Sequence, residues 1–218
     1  MLSDEHLPVL SIETSGELCS VAVYRDEKTY SEVNILKKHI NSQKLFSAID
    51  QAIGNFDITR GDIKAIAVSI GPGSFTGLRI GLAAAKGIAD GLNVPIISVP
   101  TFEAFAGWLW NINQEHKHFA IVNKVNSTEL FIQKFEFNGY IDCKPGNLEI
   151  ILQNELENLD NKYHVFGNFT HPKVKSIDSV PASAIAKWAY FFGQDLVTFD
   201  YNYLEPNYVK SFIVKVNK

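Results

Sequence analysis

Gly71, Gly73 and Gly77 interrupt the chain just after an apolar run, with Ser74 and Thr76 between them. A strand, a glycine-rich turn and a helix start in that order bring bare amides and hydroxyls together, which suits anion binding. The donors would be the amides from Gly73 to Gly77 and the hydroxyls of Ser74 and Thr76. A simpler need is met by the same residues. Pro72 fixes φ, the glycines permit positive φ, and Thr76 caps a helix. A Walker A motif is excluded, because no Lys-Ser or Lys-Thr pair follows the last glycine. The GxGxxxG spacing is a poor dinucleotide fingerprint, and no acidic residue ends the next strand to bind a ribose. A second group, Glu13-Thr14-Ser15, ends the first apolar run. A carboxylate beside two hydroxyls suits Mg²⁺ or water next to phosphate; the alternative is a β-turn with Glu13 in solvent.

Other chemistries find little support. The six histidines form no HExxH or HxxxH pair, so no metal centre is expected. Cys19 and Cys143 lie far apart and form no CxxC, which points to two ordinary thiols. No GxSxG elbow is present. Catalytic residues and a bound cofactor are therefore not expected. Net charge is −4, with Arg25, Arg60 and Arg79 as the only arginines. Such a surface is poorly suited to gripping nucleic acid without a partner. The N-terminus lacks the basic and apolar regions of a signal peptide, and no apolar stretch is long enough to span a bilayer. A cytoplasmic protein with no membrane contact is the expectation.

Periodicity places these residues. Strands are expected at 8–12, 17–25 and 28–36, then a helix carrying Leu45, Ile49, Ala52 and Ile53 on one face, with Asn41 or Ser42 as its cap. A strand at 65–70, the glycine turn, a helix over 76–91, a strand at 94–99 and a helix from Thr101 follow. After a polar connector at 111–117 the pattern restarts. Strands are expected at 119–122 and 130–137, an Asn138-Gly139 hairpin returns through 140–143, a helix covers 148–159, a strand 163–166 and a helix 182–192. The tail from Asp195 shows no clear element. The second half thus repeats parts of the first, predicting an α/β chain of two pseudo-repeated lobes, 1–113 and 114–218, with mixed sheets flanked by helices.

The helix after the glycine turn carries a stripe of small residues. Gly77, Gly81 and Ala85 recur every four residues, with Ile88 beside them and Leu78 and Leu82 on the neighbouring face. Interior glycine costs about 1 kcal/mol relative to Ala, so a close approach is expected there. Either the chain's own sheet or a partner would make it. Leu45, Phe46, Ile49 and Ile53 of the preceding helix complete an apolar patch.

The run from Gly71 to Gly81, GPGSFTGLRIG, closely resembles the signature of the bacterial TsaB (YeaZ) family. Leu10 to Ser15, Cys19 to Val23, Ser42 to Leu45, Pro95 to Thr101 and Leu204 to Lys210 are similar to other family segments. Asn41 stands where the family has histidine, and Asn123 to Asn126 replaces an Asp-Ala-Arg stretch. The resemblance implies an actin-like (ribonuclease H-like) two-lobed fold. It also implies a non-catalytic subunit of the machinery that makes N6-threonylcarbamoyladenosine (t6A) on tRNA. Such a subunit pairs with a TsaD-like transferase through the helices beside the glycine segment, forms homodimers through much the same surface, and is joined by a TsaE-like ATPase. The tRNA is then met only indirectly. Glu13, Thr14, Ser15, Gly73, Ser74 and Thr76 would be a vestigial anion site. The alternative is an actin-like ATPase or kinase using the 13–15 and 71–76 loops.

Overall fold

The computed structural model describes residues 1–36, 41–177 and 179–207. Two apolar segments, Val9–Glu13 (β1) and Ala65–Gly71 (β4), are buried along almost their whole length and pair in parallel at the centre of a sheet. Near-continuous apolar sequence is what a strand covered on both faces requires. Leu18–Asp26 (β2) and Thr29–Leu36 (β3) follow β1 as an antiparallel hairpin, and the half-polar β3 forms one edge. Ile96–Pro100 (β5) adds to β4 and Val197–Thr198 (β12) adds to β5, so the six-stranded order is β12-β5-β4-β1-β2-β3. Alternation along β1 then divides the core. Leu10 and Ile12 pack against Asn41–Asn55 (α1) and Phe75–Leu92 (α2) on one face. Val9 shares a cluster with Thr101–Ile112 (α3) and Ala182–Phe192 (α4) on the other.

A second six-stranded sheet holds His118–Lys124 (β6), Glu129–Phe137 (β7), Cys143–Pro145 (β8), Glu149–Leu152 (β9), His164–Gly167 (β10) and Val174–Ser176 (β11). The path is β11-β10-β6-β7-β8, with β9 also paired to β7. The helix expected at 148–159 is instead β9 followed by a 3-10 segment at 153–158. Leu130 and Phe131 of β7 take Ile151 and Ile150 as register partners. That pairing uses an apolar run whose spacing also suits a helix. The hairpin return begins at Cys143 rather than Tyr140, because residues 138–142 form a loop. The capping side chains of Asn41 and Ser42 lie outside the described residues.

The chain then crosses back. α4 lies on the first sheet, and Val197–Thr198 (β12) pairs with β5 at that sheet's edge. Beyond it, Tyr201 donates its hydroxyl to Val94 O at 2.5 Å, and Asn207 N donates to Ile70 O at 2.7 Å. The tail is therefore fastened along α2 as far as the glycine turn, where no element was expected. Borrowed groups seat the start of α4. Ala182 N donates to Ser20 Oγ at 2.7 Å, and Ser183 N donates to Glu32 Oε1 at 2.7 Å. Ser20→Ala leaves the Ala182 N–H without that acceptor and is expected to cost about 1–2 kcal/mol, read from urea unfolding.

Candidate protein–protein interface

Gly71-Pro72-Gly73 ends β4, and Ser74 opens α2 by accepting from Gly77 N at 3.2 Å through its Oγ. Asn93, in the left-handed region, closes the helix with its N–H on the carbonyls of Ala89 and Asp90. Between these ends the small-residue stripe points inward. A Cβ on Gly77 would lie 2.0 Å from the Thr14 carbonyl oxygen, and one on Gly81 would lie 2.4 Å from Thr14 Oγ1. Thr14 Oγ1 in turn donates to Gly77 O at 2.7 Å. The close approach that these glycines admit is therefore made by Thr14 of the same chain. Ala85, Leu78 and Leu82 are buried with them. Leu45, Ile49 and Ile53 of α1 also turn into the core, while Phe46 is 59% exposed and Ile88 is half-buried.

A different stripe faces out. Phe75, Arg79, Ala83, Gly87 and Gly91 recur every four residues along α2, and all are exposed. Among the described residues, nothing outside the helix's own nearby backbone lies within 4 Å of where a Cβ would stand on Gly87 or Gly91. Beside this rail, a groove of about 300 Å³ runs between α1 and α2. Phe46, Ile49, Ile53, Ile88 and Leu92 supply its apolar lining. Arg60 and Asp50 pair at 2.5 Å on the rim, and the Arg79 guanidinium lies 3.9 Å from the centre of the Phe75 ring. Low side-chain bulk with apolar flanks allows another helix to approach the backbone closely. The phase of Gly77, Gly81 and Ala85, expected from sequence to face a close neighbour, faces Thr14, and the phase of Ala83, Gly87 and Gly91 faces outward. The signal for the second was the same four-residue spacing.

The two polar loops are brought together and bond each other. Ser74 N donates to Ser15 O at 2.7 Å, Ser15 N donates to the Glu13 carboxyl, and Gly71 N donates to Thr101 Oγ1 at 3.0 Å. A Cβ on Gly73 would lie 2.5 Å from that of Ser15. Glu13, Thr14 and Ser15 are buried, whereas Ser74 and Thr76 are exposed. The amides of Ser74 and Gly77 that would face an anion are thus already engaged within the chain.

Glu13 is completely buried beside the buried hydroxyl of Ser69. Burial pushes the Glu13 carboxyl up from 4.5 to about 7, against the opposing pull of hydrogen bonds from Ser15 and Ser69. Below pH 4.5 both folded and unfolded chains hold the proton, and stability is full. As pH rises towards 7 the unfolded chain loses the proton first, so stability falls across that window. The loss is expected to reach about 3 kcal/mol by pH 8, at about 1.36 kcal/mol per pKa unit over the rise from 4.5 to about 7. Glu13→Gln should flatten the dependence, read from urea midpoints between pH 4.5 and 8.

The geometry can be set beside known proteins. A protein-family model described as TsaD, tRNA N6-adenosine threonylcarbamoyltransferase, matches residues 35–117. The Buchnera aphidicola (subspecies Baizongia pistaciae) protein named tRNA threonylcarbamoyladenosine biosynthesis protein TsaB is 35% identical over 168 residues, covering 73% of this chain and 74% of its own. Its namesake from Haemophilus influenzae is 33% identical over 120 residues, covering 55% and 50%. For that relative the match spans only half its length. A Sulfurihydrogenibium protein named tRNA N6-adenosine threonylcarbamoyltransferase is 32% identical over 61% of this chain and 44% of its own. The solved structure of YeaZ from Pseudomonas aeruginosa superposes with a TM-score of 0.76 at 18% identity, covering 92% and 99% of the two chains. A second Pseudomonas aeruginosa structure, described as similar to peptidase YeaZ, reaches 0.78 at 17% identity over 93% and 99%. These likenesses show the fold, the two-lobed actin-like α/β architecture.

Proposed function

The chain belongs to the TsaB family, and from that membership we propose that it takes part in forming t6A on tRNA as a non-catalytic subunit. It docks on a TsaD-like transferase through the outer faces of α1 and α2 and activates it. The observation that carries the reading is the exposed Phe75–Arg79–Ala83–Gly87–Gly91 rail beside Phe46 and the apolar groove. Residues 35–117 contain both helices and match the TsaD family model. A TsaD-like partner therefore carries a related helix pair, and two such pairs can meet in a nearly symmetric contact. A second copy of this chain can meet the same face in the absence of the transferase. The lobe built on the first sheet, which takes in α4 and β12 as well as residues 1–113 and so departs from the boundary expected at 113/114, supplies the docking face, and the lobe built on the second sheet completes the body. A TsaE-like ATPase joins the assembly, and the chain reaches tRNA only through its partners.

The clasped loops support the accessory role, because the amides of Ser74 and Gly77, two of the groups that would face a phosphate, are engaged within the chain. The test is t6A formation by a TsaD-like subunit with and without this chain. Modification is expected to depend on adding it; an equal rate without it would end the reading.

A further inference from the structure

A single apolar core joins the two sheets. Val9, Ala67 and Val99 of the first sheet and Phe119, Ile121 and Phe135 of the second belong to one buried cluster, together with residues of α3 and α4. At one flank of this joint stands Tyr140, in the loop between β7 and β8. A Cβ on Gly107 of α3 would lie 2.9 Å from Tyr140 Cε2, so the ring rests directly on the α3 backbone. Phe191 meets the same ring edge-on at 5.2 Å between centroids, and Phe192 stacks on it at 6.0 Å.

Lys187 of α4 closes the arrangement. Its Nζ stands 4.3 Å from the centre of the Tyr140 ring, donates to Asn111 Oδ1 at 3.2 Å and pairs with Glu27. Its side chain is only 18% exposed, so these contacts replace most of its water. A desolvated ammonium over an aromatic face contributes more than an exposed one. Removing its partners would leave a poorly solvated charge. One side chain thus ties the β2–β3 turn, α3, α4 and a loop of the second sheet.

We propose that Tyr140 and Lys187 form a latch that fixes the angle between the two lobes, so that they move as one body. The proposal is independent of the partner reading. It concerns only how rigidly the second lobe is held against the lobe carrying α1 and α2.

Paired nitroxides test it by reporting the distance between lobes. Gln51→Cys on α1 and Asn154→Cys in the second lobe are both at exposed positions. Cys143→Ser removes the half-buried native thiol, and Cys19 is buried. The full chain is expected to show one narrow distance distribution that Mg·ATP does not move. Tyr140→Ala is expected to broaden it and add longer distances; Lys187→Met, which keeps the stem, is expected to broaden it less. A broad or ATP-responsive distribution in the parent would overturn the latch. So would distributions in both variants as narrow as the parent's. Should circular dichroism show Tyr140→Ala to be unfolded, Lys187→Met and Glu27→Gln decide the question in folded protein.

Discussion

Gly77→Ala is expected to cost at least about 3 kcal/mol of stability and to leave much of the protein unfolded in a routine preparation. The added methyl would sit 2.0 Å from the Thr14 carbonyl oxygen, which is backbone and cannot swing aside. Relief requires α2 to lift from β1. That movement breaks the Thr14 Oγ1–Gly77 O hydrogen bond and opens the buried cluster holding Leu82 and Ala85. Gly87→Ala is the internal control, because it makes the same change nearly three turns along the same helix. Nothing lies near its would-be Cβ, and an interior glycine is a poor helix former. It should stabilise by about 0.5–1 kcal/mol. Urea unfolding of the two variants should therefore move in opposite directions. Equal effects would mean that the phase assigned to α2 is wrong.

The second large effect concerns association. Gly87→Arg places a long charged side chain over the α1–α2 groove, in open space where folding is not disturbed. It is expected to leave the melting temperature within a few degrees of the parent while weakening partner binding by at least about 30-fold, near 2 kcal/mol. A comparable substitution at Gly81 would enter Thr14 and report on folding instead. Inward and outward glycines on one helix thus separate a stability defect from an interface defect.

Much of the first lobe was legible because its elements follow local rules. β1 and β4 are mostly apolar runs, β2 and β3 form a hairpin, and Gly71-Pro72-Gly73 breaks the chain cleanly before α2. The direction in which α2 faces was not legible. Small residues lie on both of its faces, so periodicity cannot decide between the Gly77–Gly81–Ala85 phase and the Ala83–Gly87–Gly91 phase. The deciding contact comes from Thr14, 63 residues from Gly77 in sequence. Residues 148–159 misled for a related reason: Leu148, Ile151 and Leu159 suit a helix, but β7 offered a strand edge that only the folded sheet provides. The tail was opaque because its order rests on Tyr201 reaching Val94 and Asn207 reaching Ile70, contacts with no local signature. Glu13 was visible as a carboxylate at a strand end. Its complete burial depends on how the two loops close over it.

We propose that this chain acts by presenting the outer face of α1 and α2 to a TsaD-like subunit. Isothermal titration of the full chain and of Gly87→Arg into such a subunit, alongside thermal melts of both, tests it most directly. A saturable complex is expected with the parent, and a loss of at least about 30-fold with the variant, at unchanged folding. Equal affinity for parent and variant, or no complex with either, would contradict it.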